Sequence, residues 1–264
     1  MELKNLKTYL ERLYKHYNHK KFVHPDPLEF LYDYYDLKDR EITALIASSL
    51  AYGRVYSILK ALDFIFSKLN PSPFTFVVDN NFDHYKEVFK NFKYRFTDTQ
   101  DICSLLLGIK KIILNYGSLK ECFEQKVLPN DKTILPGLSK FFKELKKASG
   151  NELKFLLPIP ENGSACKRAN LFLRWMVRKD AVDPGGWDQN LCSKLVVPVD
   201  THMHKIAYKL GLTSRKTSDI KTALEITEAF KKISPTDPVK YDFALTRPGI
   251  RKEDINWLKQ HKGL

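Results

Sequence analysis

Residues 97–117, TDTQDICSLLLGIKKIILNYG, decide the fold class. Ile102, Leu105, Leu106, Ile109, Ile112 and Ile113 recur at steps of three and four, which lines them along one side of an α-helix. Thr97 or Asp98 offers an oxygen to the free N–H groups of a first turn, and Tyr116 with Gly117 offers a stop. The run is too long for a typical strand, and its apolar side needs other helices to cover it.

Working outward, the same period recurs. Leu3, Leu6, Leu10 and Leu13 mark an opening helix that should end before the turn His24-Pro25-Asp26-Pro27. Ile42, Leu45, Ile46 and Leu50 mark a second helix, with Asp39 as its expected cap and Gly53 as its end. Ile58, Leu62, Ile65 and Leu69 mark a third, which the sequence Asn70-Pro71-Ser72-Pro73 breaks. Two such helices in succession suggest an antiparallel pair. Sustained strand-like alternation is hard to find, so the expectation is an all-α protein of roughly ten helices. Residues 183–194, DPGGWDQNLCSK, read as a loop, within which Trp187 could stand beside a bound ligand or simply connect.

With 264 residues and 43% apolar content the chain can bury a sizeable core. No run approaches the ~18 apolar residues of a membrane span, and the opening helix lacks the apolar stretch of a signal peptide. A soluble, monomeric, cytoplasmic protein is expected, nucleoid-associated if the source is prokaryotic. Cys103, Cys122, Cys166 and Cys192 lie too far apart for paired metal ligands or an iron–sulfur cluster and are expected to be free thiols. Lys and Arg exceed Asp and Glu by 44 to 31, a net charge of +13 that attracts polyanions; nucleic acid is the natural partner, although the excess also suits a merely well-solvated surface.

Two segments carry chemistry: GSACKRANLFL at 163–173 and VPVDTHMHKIA at 197–207. In the first, Ala165, Ala169, Phe172, Leu173 and Met176 form an apolar face behind Lys167, which falls near the first helical turn. The positive end of the helix dipole there disfavours an ammonium ion, as a nucleophilic amine requires. Gly163 would let the backbone approach a phosphate. On its own, a lysine beside Arg168 reads as an ordinary surface residue. In the second segment Asp200 precedes Met203, Ile206, Ala207 and Leu210 and is well placed as an N-cap, a role compatible with facing a developing sugar cation. Asp200, His202 and His204 also suggest a metal site, but residues two apart on a helix point to different sides, and no metal or organic cofactor is expected.

These two segments resemble the helix-hairpin-helix DNA glycosylase superfamily. Gly163, Lys167 and Asn170 match its G-x-x-x-K-x-x-N-like helix, and Val199 to His202 match its V-D-T-H element. The usual hairpin L-P-G-V-G is replaced by Ile159-Pro160-Glu161-Asn162-Gly163, and the 33-residue step from Lys167 to Asp200 is long, as in the archaeal 8-oxoguanine glycosylase branch. The resemblance implies two helical domains, 38–198 and 1–37 with 199–264, flanking a cleft. It also implies a base-excising DNA glycosylase with abasic-site lyase activity, acting on double-stranded DNA that holds a damaged base, 8-oxoguanine first. Lys167 takes the Schiff-base role and Asp200 the carboxylate role. Asp242 is placed to read a base edge, Tyr52 and Arg54 to fill the gap left by an extruded nucleotide, and Gly163, Ser164 and Arg168 to hold phosphate. The lack of clustered cysteines argues against the iron–sulfur branch. Two rivals stay open: a non-catalytic DNA-binding module on the same scaffold, and a metal-dependent phosphohydrolase.

Overall fold

The computed structural model describes residues 3–251. Among them are α1 (Leu3–Tyr17), α2 (Leu37–Ser49), α3 (Val55–Leu69), α4 (Pro73–Asp79), α5 (Phe82–Val88), α6 (Thr99–Tyr116), α7 (Leu119–Glu124) and α8 (Leu135–Ser149). After a longer irregular stretch come α9 (Lys167–Val177), α10 (Thr201–Lys209), α11 (Ile220–Lys231) and α12 (Asp242–Arg251). The fold is all-α apart from a two-stranded hairpin of β1 (Lys93–Tyr94) and β2 (Thr97–Asp98).

The helix expected around 97–117 forms for the reasons its sequence gives. Asp98 accepts from Asp101 N–H while Asp101 accepts from Asp98 N–H, a reciprocal capping box, and Gly117 ends the helix at φ +92°. Its apolar stripe is buried, chiefly against α8. The two helices approach closely where Gly108 leaves room: a Cβ there would lie 2.9 Å from the Leu145 carbonyl oxygen.

Two local expectations are corrected. Asp36, not Asp39, caps α2 by accepting from Lys38 N–H; Asp39 sits one turn in and reaches Ser72 Oγ and Phe74 N–H, tying α2 to the start of α4. The expected α2–α3 pair is also not the main packing of α2, which lies instead against α9 and the 3-10 segment Pro27–Asp33, and then α4. Residues from Glu41 to Ser49 are buried on every side of that helix, so no single stripe marks its partner. At the core, the carboxylate of Glu41 accepts from Leu119 N–H, Lys120 N–H and Trp187 Nε1–H; burial nonetheless pushes its pKa up to about 7.

Gly108→Val should overpack the α6–α8 contact and cost about 2 kcal/mol, read as a lower urea midpoint at unchanged slope. An unaltered midpoint would show that the two helices have slack where none is seen.

Candidate active site

Lys167 is the first residue of α9, which begins two residues after Ala165, the first of the apolar pattern. Cys166 just before it turns the chain in the left-handed region at φ +49°, and no side chain caps the helix. The first intrahelical bond runs from Asn170 N–H to the Cys166 carbonyl, so the N–H groups of the opening turn sit around the lysine. Asp200 is the N-cap of α10, its Oδ1 accepting from His202 N–H at 2.9 Å and Met203 N–H at 2.8 Å. Its other oxygen, Oδ2, lies 2.7 Å from Lys167 Nζ. Burial works to raise the Asp200 pKa, but the Lys167 ammonium, its hydrogen bond and the two backbone donors outweigh it and hold the carboxyl below its usual range.

Both side chains line a pocket of about 740 Å³, a size suited to a small organic ligand. Its wall is built by the segment after α2, the turn before α9, the start of α10 and the inner side of α12. Asp242, the first residue of α12, is buried there and pairs with Arg174 of α9. Arg174 also reaches Asp183 at 3.1 Å, while Arg178 one turn on engages Asp180, Asp183 and Asp237. Arg247 of α12 also lines the pocket, donating to Asp26 Oδ2 at 2.6 Å and to the Val23 carbonyl, with its guanidinium over the Phe243 ring.

The structure thus brings Lys167, Asp200, Asp242, Tyr52 and Ser164 to one pocket. The other candidates are differently placed or differently engaged. Trp187 is buried, stacked on Phe123 and bonded to Glu41, so it packs the core and does not touch the pocket; its indole is a large apolar group with one donor, and Glu41 satisfies that donor. Arg54 lies outside the lining, between Gly53 and Val55, which belong to it. Arg168 lines the pocket, but its guanidinium donates to the Ser49 and Phe155 carbonyls and lies over the Tyr52 and Phe155 rings. Burial pushes its pKa down to about 10, and the fork expected to clasp a phosphate is engaged with backbone. Gly163 adopts φ +80° with open space around it, yet its N–H is bonded to the Pro160 carbonyl and its carbonyl to Ile220 N–H. The histidines diverge: His202 borders the pocket and packs against Gly249, whereas His204 Nε2 bonds the Arg215 carbonyl. Among the described residues no three His, Cys, Asp or Glu side chains gather as metal ligands.

Sequence reasoning missed Arg174 and Arg247. A signal for the first existed, since Arg174 interrupts an otherwise apolar run, LFLRWMV, at a buried position of α9.

A family model described as "Protein of unknown function (DUF2400)" matches residues 26–251. The chain belongs to that family. Neither the curated proteins nor the solved structures contain a match. Also among the described residues, no helix is long and apolar enough to cross a membrane.

Because Asp200 titrates lower when folded than when unfolded, it stabilises the fold above its unfolded pKa and loses that contribution as pH falls through the folded value. Asp200→Asn, which keeps a capping oxygen, should be less stable than the parent near pH 7, with the gap closing below about pH 4 in urea titrations. A gap independent of pH would contradict the ion pair. Arg174→Ala strands Asp242 and leaves Asp183 with Arg178 alone, and should cost roughly 3–5 kcal/mol in the same measurement.

Proposed function

We propose that this protein is a bifunctional DNA glycosylase and abasic-site lyase that excises an oxidised base, 8-oxoguanine first, from double-stranded DNA. The observation that carries the reading is the 2.7 Å approach of Lys167 Nζ to Asp200 Oδ2 at the pocket, between residues 33 positions apart. An amine and a carboxylate side by side, with space for a nucleoside, suit nucleophilic attack on a sugar whose charge develops as its base leaves.

The same reading divides the chain into helical domains 38–198 and 1–37 with 199–264. The pocket takes Tyr52 and Lys167 from the first and Pro25, Asp200 and Phe243 from the second, as a cleft between domains would; the stretch beyond residue 251 lies outside the described residues. A short 3-10 turn, Pro160–Asn162, ended by left-handed Gly163, precedes α9, and on this reading it is the counterpart of the hairpin.

In the reaction a flipped nucleotide enters the pocket and its sugar C1′ meets Lys167. The amine must lose a proton before it attacks, and Asp200 is in hydrogen-bond contact to accept it. The C1′–Nζ bond forms as the bond from C1′ to the base breaks, and the base leaves with that electron pair and takes up a proton. Opening of the sugar ring yields the protonated Schiff base. Loss of a C2′ proton then expels the 3′ phosphate by β-elimination, which nicks the strand, and water releases the lysine.

Borohydride should trap a covalent adduct between the protein and a duplex containing 8-oxoguanine, and Lys167→Ala should abolish it. Asp200→Asn should slow base release by two orders of magnitude or more (about 10²–10³) while leaving affinity for the duplex nearly unchanged. Adduct formation by Lys167→Ala would remove the lysine from its role. Lesion-selective binding without adduct or nick would mark a non-catalytic module, and activity lost to a chelator would favour the phosphohydrolase.

A further inference from the structure

Beside the pocket stands an exposed aromatic ladder that the chemistry above does not use. The β1–β2 hairpin turns through two residues, Arg95 and Phe96, with Arg95 in the left-handed region at φ +51°. A side chain larger than glycine rarely adopts that conformation, and here it sets Phe96 at the tip, 65% exposed. Phe96 meets Phe155, itself 40% exposed, edge-to-face at 5.0 Å between ring centroids. Phe155 in turn meets Tyr52, of the pocket wall, at 4.6 Å. Guanidinium groups flank the rings: Arg95 lies 5.7 Å from the centroid of Phe96, and Arg168 lies 4.7 Å from that of Phe155.

The hairpin is firmly held. Tyr52 Oη reaches the Tyr94 carbonyl at 2.9 Å and Thr97 Oγ1 at 2.7 Å, while Tyr94 Oη donates back to the Tyr52 carbonyl. A rigid turn that keeps Phe96 in water against the partly exposed Phe155, with guanidinium groups beside both rings and a pocket alongside, offers π-faces within a positive field. Unstacked nucleobases attached to phosphates match both features.

We propose that Phe96 and Phe155, with Arg95, form a stacking surface for a nucleobase of DNA left without its stacking or pairing partner next to the pocket. This rests on the DNA reading of the same pocket. The surface would make the protein prefer DNA in which a base is missing over intact duplex, because only there is a base face free to meet the rings.

The test is fluorescence anisotropy with two labelled duplexes, one intact and one carrying a tetrahydrofuran abasic analogue. The parent protein should bind the abasic duplex more tightly. Phe96→Ala and the double variant Phe96→Ala/Phe155→Ala should lose about tenfold or more in affinity for it, as removal of a base-stacking ring does, with little change for intact duplex. Phe96→Trp should restore the preference. Since Phe96 is exposed, its single variant should melt with the parent by circular dichroism. An undiminished preference in both Ala variants, or equal weakening on both duplexes, would overturn the proposal. Borohydride trapping on the 8-oxoguanine duplex, by the parent and the same variants at saturating protein, separates the two ideas: adduct with unchanged affinities refutes the stacking surface alone, whereas stacking-dependent affinity with no adduct even from the parent refutes the lyase.

Discussion

A guanidinium removed from water must be met by acceptors on nearly every side, and Arg174 and Arg178 impose that condition on everything around α9. Their carboxylate partners come from the 180–183 turn, from Asp237 and from the head of α12. Stranding any of these charges is far costlier than a lost surface contact, so the register of α9 against α12 is tightly specified. Lys167 sits two turns before Arg174 on the same helix, and its position is therefore inherited from a buried network. Asp242 serves both as an anchor of that network and as a wall of the pocket. Burial pushes its carboxyl upward while Arg174 opposes the shift.

The opposite partner, Asp200, is placed by a different device. Its two oxygens divide the labour: one satisfies the opening N–H groups of α10, the other faces the amine. Capping fixes the carboxylate without a neighbouring cation, so its orientation should persist when the lysine changes its bonding. A group that stabilises developing positive charge works best when it need not reorganise. Its capping role and the chemical role proposed for it are thus compatible, and the residue type alone cannot distinguish them.

How far the sequence could be read follows from which interactions are local. Helices α1, α3 and α6 were legible because one apolar stripe at helical spacing decides each. Helix α2 was legible as a helix, but with its surface buried all round the stripe carried no information about packing. Asp39 misled because an acid near a helix start is a fair cap from sequence, while its actual donors come from Ser72 and Phe74, 33 and 35 residues away. The Lys167 and Asp200 segments were found through a motif. Their approach is long-range geometry that spacing could suggest only by resemblance. Long-range partners that no spacing reveals decide two further residues: Glu41 holds the Trp187 indole in the core, and two backbone carbonyls engage the Arg168 guanidinium at the pocket wall. The exposed tip at Phe96 had no signal at all, because a two-residue turn with a positive φ on arginine breaks the usual glycine or asparagine preference.

Charge is organised differently inside the pocket and over the whole molecule. The chain carries +13, yet each cation lining the pocket has an internal answer: Lys167 has Asp200, Arg174 has Asp183 and Asp242, Arg247 has Asp26, and Arg168 has two carbonyls. A phosphate entering this space would have to break one of those pairs, whereas a neutral base or sugar would not. On the proposed function this partition suits a polyanion drawn to the exterior that admits only one uncharged piece of itself. It also keeps the centre electrically constant. In the proposed reaction an ammonium beside Asp200 becomes a protonated Schiff base beside Asp200, and the proton released on the way leaves with the base, so the fixed carboxylate would face one positive charge at the start and one at the intermediate.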